Sequence, residues 1–361
     1  MGNRFDHLQE AINRLFEEIG SVIKISSVYE TPAMGFDGDP FLNCVVLIES
    51  EIEPSELLDN VLQIEKKMGR ERGADKRLVS RPIDIDILFV DDKIINTKRL
   101  VVPHPEIQNR KFVLQPLSEI ASEYNHPVLN AKVSELLETT SDSGEATKQS
   151  KWLSNPMREL NLAKHNYLTI EGNLGVGKTS LTTKIARDFN AKLVLERFAD
   201  NPFLPKFYED QARYAFLVEM SFLVDRYQQI VEGATQLDMF KEWIVADYEI
   251  NKSLIFAGIT LSEDEFMLYR KLFQVMYKDF PKPDLYVYLR QDAETLMENI
   301  KRRGRDFEQN IKLEYLQDVD RKYLEFIKTK PYENIKVIDV SHLDFIRNRA
   351  DYLQVLREIA G

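Results

Sequence analysis

The stretch Tyr167-Leu168-Thr169-Ile170-Glu171-Gly172-Asn173-Leu174-Gly175-Val176-Gly177-Lys178-Thr179 decides the fold of the half of the chain that contains it. Its first five residues read as a strand, and they run without a break into the pattern GxxxxGK[ST], which belongs between a strand and a helix. The spacing has a physical reason. Gly172, Gly175 and Gly177, with Asn173 among them, let successive backbone N–H groups converge on phosphate oxygens, and the N-terminus of the following helix adds partial positive charge. Lys178 is then placed to reach the β- and γ-phosphates of ATP, and the Thr179 hydroxyl to ligate Mg²⁺. Outward from this loop, strands expected at 167–172, 192–196, 243–247, 284–290 and 335–340 alternate with helices expected at 178–189, 204–231, 264–278, 312–328 and 343–359. That alternation predicts a parallel sheet with helices on both faces.

Three further features cluster with this loop. Glu196 ends the second expected strand, where substrates of open α/β sheets bind, and a carboxylate there can take a proton from a hydroxyl nucleophile. The competing reading is a surface glutamate paired with Arg197. Asp247 ends the third strand and is a candidate Mg²⁺ ligand. The cluster Lys301-Arg302-Arg303-Gly304-Arg305, followed by Asp306-Phe307-Glu308, suits a lid whose guanidinium forks grip a transferring phosphoryl group. The bland alternative is a solvated charge run at a helix C-terminus.

Gly172–Thr179, Glu196 with Asn201-Pro202-Phe203-Leu204, the aromatic-rich helix Tyr214–Arg226, Asp247, and Arg303-Gly304-Arg305 with Glu308 and Leu313-Glu314-Tyr315-Leu316 together resemble the deoxynucleoside kinases over about 165–361. The resemblance implies a P-loop kinase that phosphorylates a deoxynucleoside 5′-hydroxyl from ATP and one Mg²⁺. It implies Glu196 as base, Arg303 and Arg305 as lid, Arg226 and residue 219 toward the substrate, and a homodimer. Two positions depart from the family pattern. Asp247 is followed by Tyr248 where an arginine is common, and Glu219 stands where a glutamine commonly reads the base. A carboxylate only accepts hydrogen bonds, and guanine offers adjacent N1–H and N2–H donors, so deoxyguanosine is expected over deoxyadenosine.

The first half reads helix 4–19, strands 22–30 and 41–50, helix 54–68 and strand 83–90. With one strand in front this is βαββαβ, a ferredoxin-like α+β arrangement. In Arg81-Pro82-Ile83-Asp84-Ile85-Asp86-Ile87, the aspartates lie two apart on an expected strand and so share a face, while the isoleucines point to the core. Hard oxygen ligands of this kind suit two Mg²⁺ ions bridging a nucleotide's phosphates. Arg70, Arg72, Lys76, Arg77 and Arg81 place five cations within twelve residues, although 1–140 as a whole holds 16 basic against 24 acidic residues. Metal-binding acids beside a basic loop are what polyphosphate transfer requires. Thr31-Pro32 through Phe41-Leu42-Asn43, and Pro103-His104-Pro105 before Asn109-Arg110-Lys111-Phe112, add aromatic and amide groups suited to a flat heterocycle.

These motifs, in order from residue 1 to about 138, resemble the 6-hydroxymethyl-7,8-dihydropterin pyrophosphokinases of folate synthesis. The resemblance implies Asp84 and Asp86 on two Mg²⁺ ions, with Arg70, Arg72, Arg81, His104 and Arg110 around the triphosphate. It implies Thr31, Pro32 and Asn43 at the pterin edge, with Phe41 and Phe112 beside the ring. Loops around 33–40 and 70–80 are the candidate lids. Residues 77–81 lack the tryptophan many members carry before the last arginine. Family members also open with an apolar strand ending Gly-Ser-Asn, so the native product is expected to be longer by about ten residues, one strand plus the motif.

The whole chain has 361 residues and a net charge of −11, which favours two domains and argues against a general nucleic-acid coat or a polybasic membrane-surface protein. No apolar run approaches the roughly 20 residues that span a bilayer. A lone Cys44 excludes an intramolecular disulfide, and the reducing cytoplasm is the expected location. Residues 139–164, opening on the polar run TTSDSGEATKQSK, are expected to link a domain at 1–138 to one at 165–361. Competing readings make the first domain a regulatory module, or the second a nucleoside monophosphate kinase or GTPase. The last would need Asn-Lys-x-Asp, and Asn251-Lys252-Ser253-Leu254 lacks the aspartate.

Overall fold

Tyr167–Gly172 forms a strand in which every residue after Tyr167 is buried, as a strand covered on both faces must be. The computed structural model describes residues 4–32, 40–69, 82–197, 201–235, 241, 243–278, 280–305, 308, 311–329 and 331–361. The chain forms two compact units, Met1–Leu160 and Asn161–Gly361.

The first unit contains α1 (Arg4–Glu18), β1 (Ser21–Ile25), β2 (Tyr29–Thr31), β3 (Phe41–Asn43), β4 (Val46–Glu49), α2 (Pro54–Lys67), β5 (Ile95–Asn96), β6 (Val101–Val102), α3 (Lys111–Ala121), α4 (Val133–Thr139), β7 (Thr147–Lys148) and α5 (Pro156–Leu160). Helix α1 buries Leu8, Ala11, Ile12, Leu15 and Phe16, one face at helical spacing. Leu15 and Ile19 meet Val61 and Ile64 of α2 in a shared core. Strand β1 pairs antiparallel with β4, and β2 lies between β3 and β7.

The expected strands 22–30 and 41–50 are each divided. The Ser26 hydroxyl donates to the Ser27 carbonyl (2.8 Å) and accepts from the Val45 N–H (2.9 Å), while the Ser27 N–H donates to Glu119 Oε2 (2.7 Å). Side chains thus take over bonds that a ladder would make. The expected strand 83–90 pairs with no named strand among the described residues, which differs from the ferredoxin-like expectation. Its side-chain alternation is nevertheless present. Ile83 is buried, Asp84 and Asp86 are exposed, and Ile85 and Ile87 join the α1–α2 core. The Ile85 N–H donates to Glu65 Oε1 (2.8 Å) and the Leu88 carbonyl accepts from the His104 N–H (2.9 Å). Alternation records which face is buried; a strand also needs a neighbouring backbone.

The polar run after 138 is anchored to the first unit rather than free. Asp142 accepts from the backbone N–H groups of Lys111 (2.8 Å) and Gly144 (2.9 Å), β7 pairs with β2, and Gln149 N–H donates to the Val28 carbonyl (2.8 Å). Helix α5 then buries Met157 and Leu160. The anchors are backbone and carboxylate hydrogen bonds, which hydrophobic periodicity does not register.

The second unit runs β8 (Tyr167–Gly172), α6 (Lys178–Asp188), β9 (Lys192–Val194), α7 (Leu204–Glu209), α8 (Gln211–Thr235), β10 (Ile244–Ala246), α9 (Lys252–Thr260), α10 (Glu263–Met276), β11 (Leu285–Arg290), α11 (Ala293–Arg303), α12 (Leu313–Lys328), β12 (Ile335–Asp339) and α13 (Arg349–Ala360). Its five strands are all parallel, in the order β12-β11-β8-β10-β9. The chain leaves β8 for the edge strand β9, returns to β10, and then crosses to the other side. That reversal opens a crevice at the C-terminal ends of β8 and β10. The expected helix 204–231 breaks at Asp210 into α7 and α8, and α9 had no counterpart among the expected elements.

Candidate active site

The phosphate loop connects β8 to α6. Gly175 and Gly177 adopt φ of +82° and +95°, and a Cβ there would meet Ile300 and Phe345 at 2.9 Å, so both positions need glycine. The loop is pinned from below. Glu171, fully buried, accepts from the Tyr323 hydroxyl (2.9 Å) and the Glu249 N–H (2.8 Å). Asn173 donates to the Leu316 carbonyl on α12 (2.7 Å). The Lys178 ammonium donates to the carbonyls of Gly172 (2.8 Å) and Asn173 (2.9 Å), folded over its own loop. Burial, followed by the nearby Lys252 ammonium, pushes its pKa down to about 8.

Thr179 at the start of α6 and the strand-end residues Asp247 and Glu196 form a connected chain. The Thr179 hydroxyl donates to Asp247 Oδ2 (2.6 Å), and Asp247 Oδ1 accepts from the Glu196 N–H (2.7 Å). Hydroxyl and carboxylate oxygens this close are a donor set that fits a hard cation such as Mg²⁺. The Glu196 side chain is paired with Arg226 and Lys252, not with Arg197. Its Oε1 takes both Nε (2.9 Å) and Nη2 of Arg226, and its Oε2 takes the Lys252 ammonium (2.6 Å). Burial alone would raise the Glu196 pKa; Lys252 and Arg226 instead hold it well below the ordinary carboxylate range. Tyr248 turns away, donating its hydroxyl to Gln229 (3.1 Å), so the cations beside Glu196 come from α8 and α9.

Glu219 and Arg226 lie on one face of α8 with Phe222 between them, and all three line a cleft open to solvent. Glu219 is buried, accepts from the Thr260 hydroxyl (2.9 Å), and has its pKa pushed up to about 7, chiefly by burial. Arg303 and Arg305 reach the same cleft and converge on buried Glu308, Arg303 Nε at 3.1 Å and Arg305 Nη1 at 3.2 Å. Residues 306, 307, 309 and 310 lie outside the described residues. The cleft therefore gathers Gly175, Lys178, Thr179, Glu196, Glu219, Arg226, Asp247, Arg303 and Arg305, all singled out in the sequence. It also contains Lys252, which was not. The available signal was a lysine, inside the failed guanine motif, that precedes Ser253 and the apolar run Leu254-Ile255-Phe256-Ala257.

In the first unit, Asp84 and Asp86 are both exposed on the same side of their segment. Thr31 accepts from Asn43 Nδ2 (2.9 Å) across the β2–β3 pair, Phe41 is partly exposed, and Pro32 is exposed. Arg110 lies 5.9 Å from the Phe112 ring centre, and His104 Nδ1 accepts from the Glu106 N–H (3.2 Å). Arg70, Arg72, Lys76, Arg77 and Arg81, and the candidate lids except residue 40, lie outside the described residues.

A parallel sheet with a phosphate loop at its crevice, and with strand-end carboxylates beside the loop, defines the second unit as a P-loop kinase. The profile of the deoxynucleoside kinase family matches residues 168–361, and that of 7,8-dihydro-6-hydroxymethylpterin-pyrophosphokinase matches residues 1–122. The chain is 32% identical over 197 residues to deoxyguanosine kinase of Bacillus subtilis (strain 168), covering 54% of this chain and 95% of that protein. It is 32% identical over 215 residues to the deoxyadenosine/deoxycytidine kinase of the same organism, covering 57% and 96%. It is 39% identical over 136 residues to 2-amino-4-hydroxy-6-hydroxymethyldihydropteridine pyrophosphokinase of Aquifex aeolicus (strain VF5), covering 37% and 83%. The chain belongs to the deoxynucleoside kinase family through its second half and to the hydroxymethyldihydropterin pyrophosphokinase family through its first. It is a fused enzyme with two ATP-dependent kinase domains.

Replacing Glu196 by Gln tests its pairing with Arg226 and Lys252. Two buried cations would then face a neutral amide, at a cost of about 3 kcal/mol. The expected result is a lower urea midpoint for the second unit; an unchanged midpoint would show that the pairing adds nothing.

Proposed function

We propose that the second domain transfers the γ-phosphoryl group of ATP to the 5′-hydroxyl of deoxyguanosine in preference to the other deoxynucleosides. The observation that carries this reading is the Glu196 carboxylate, held in the cleft by Arg226 and Lys252, while its backbone N–H is tied through Asp247 to Thr179 beside the phosphate loop. In this reading Glu196 accepts the hydroxyl proton, Lys178 and the lid arginines Arg303 and Arg305 hold the phosphates, and Arg226 orients Glu196. Thr179 and Asp247 would hold one Mg²⁺, which supplies charge neutralisation at the β- and γ-oxygens. Glu219 reads the base through its two acceptor oxygens.

Base reading by a carboxylate with a pKa near 7 gives a signed pH dependence. Guanine's donors need the ionised form, whose fraction falls as pH drops below 7. The KM for deoxyguanosine should therefore be about tenfold higher at pH 6 than at pH 8. In Glu219→Gln that dependence should vanish and deoxyguanosine should lose its advantage. A deoxyguanosine KM that is flat with pH, or a wild-type preference for another deoxynucleoside, would refute the assignment.

For the first domain we propose pyrophosphoryl transfer. The hydroxymethyl oxygen of 6-hydroxymethyl-7,8-dihydropterin attacks the β-phosphorus of ATP, and AMP departs. Asp84 and Asp86 would hold two Mg²⁺, for which exposed carboxylates on one side of the segment are suitable donors. Arg70, Arg72, Arg81, His104 and Arg110 surround the triphosphate. Thr31, Pro32 and Asn43 meet the pterin edge, and Phe41 and Phe112 flank its ring. Asp84→Ala with Asp86→Ala should abolish pterin-dependent AMP formation and leave deoxynucleoside-dependent ADP formation intact. Loss of both, or of neither, would count against separate sites.

We further place the enzyme in the cytoplasm, consistent with its one cysteine, and propose a homodimer through the kinase domain. Among the described residues no helix is long and apolar enough to cross a membrane. Leu217 and Val224 on α8, with Met267, Leu268 and Val275 on α10, are exposed apolar side chains that a second copy would cover. Sedimentation equilibrium should give twice the chain mass; a monomer mass would contradict this.

A further inference from the structure

Glu196 is held by two cations that differ in their freedom. Arg226 is fixed through its whole fork, with Nε and Nη2 on Glu196 and Nη1 on the Ser253 hydroxyl at 2.5 Å, and it lies 5.2 Å from the Phe222 ring centre. Lys252 is the first residue of α9, 7% exposed; its ammonium lies 5.6 Å from the Phe256 ring centre, and among the described residues its only hydrogen bond is to Glu196 Oε2. An ammonium has three donors, and its unbranched stem can re-aim them without moving the helix. The remaining N–H groups belong to a side chain that lines the cleft, as Lys178 does. Two ammonium groups on one cleft repel each other, and an anion between them relieves that repulsion. Burial first and then Lys252 lower the Lys178 pKa, whereas Glu196 and Glu171 outweigh burial to raise that of Lys252. Tyr248, next to Asp247, contributes no charge there.

We propose that Lys252 is a catalytic residue of the nucleoside kinase reaction: it holds Glu196 before the substrates enter, then turns its ammonium to the phosphoryl group in flight. This rests on Glu196 being the acceptor of the 5′-hydroxyl proton. In the step, the 5′-oxygen forms a bond to the γ-phosphorus while the bond from that phosphorus to the β,γ-bridging oxygen breaks, leaving its electron pair on ADP. The hydroxyl proton passes to Glu196. Lys252 gives up no proton. Its departure from Oε2 opens a lone pair for the hydroxyl, and its charge is delivered where the transferring group's equatorial oxygens are most negative. Arg226, held at every arm of its fork, cannot make that exchange and keeps Glu196 in place meanwhile.

The test is steady-state kinetics of the full chain with ATP, Mg²⁺ and deoxyguanosine. Lys252→Met removes the charge at similar length, Lys252→Gln keeps a donor for Glu196 without charge, and Lys252→Arg keeps the charge. Both neutral variants should lose about 100-fold in kcat, the scale of one lost transition-state donor, with the deoxynucleoside KM within about threefold of wild type. Lys252→Arg should recover at least about a tenth of wild-type kcat. A purely structural lysine predicts otherwise. Near-wild-type kcat in Lys252→Gln, a loss confined to KM, or failure of arginine to rescue would each overturn the proposal. A wild-type chain with no deoxynucleoside phosphorylation would remove the underlying reading itself, an outcome distinct from an active wild type with active neutral variants.

Discussion

The second unit depends on a buried anion and what it takes to keep it there. Glu196 carries its charge largely out of water, its side chain 14% exposed, and such a carboxylate persists only when its oxygens are satisfied by charged donors. Arg226 and Lys252 supply them from two helices, α8 and α9, which also share the core that contains Leu223 and Ala257. Each cation would itself be costly to bury alone. The pairing therefore fixes three elements relative to one another, and the Glu196 N–H extends it through Asp247 to Thr179 and the phosphate loop.

Around that anion the cleft is charged but internally compensated. Lys178 rests on its own loop's carbonyls, and Arg303 and Arg305 rest on Glu308. Incoming phosphates therefore exchange for existing partners rather than filling bare positive charge. This limits affinity for simple anions and directs binding energy toward a triphosphate that satisfies several donors together. Below the cleft, Glu171 on Tyr323 and Asn173 on Leu316 make the loop part of the core, so the exchange takes place against a fixed floor.

How much was legible in the sequence follows how local each feature is. Gly172–Thr179 could be read because its chemistry is written in eight consecutive residues, and the parallel sheet because strands and helices alternate visibly. Glu196 and Asp247 were legible as strand ends. The partners of Glu196 were harder: Lys252 lies 56 residues further along, and nothing short of the fold brings it to Oε2. The same limit applies in the first unit. The apolar alternation of 83–87 correctly predicted which residues face the core. It could not show that the Ile85 N–H goes to Glu65 instead of a neighbouring strand. Residues 142–149 looked unanchored because their anchors are hydrogen bonds to Lys111 and Val28, which leave no apolar signature.

The two domains place ATP chemistry on unlike scaffolds, one presenting exposed aspartates, the other burying its carboxylate between cations. In the proposed reactions the two domains direct attack to different phosphorus atoms of ATP. The most direct measurement follows the β-phosphorus: ATP labelled there with ³²P is incubated with the chain, Mg²⁺ and either hydroxymethyldihydropterin or deoxyguanosine. The account predicts label in the pterin diphosphate and unlabelled AMP in the first case, and all label in ADP in the second. Label retained on the adenine nucleotide with both substrates would contradict it.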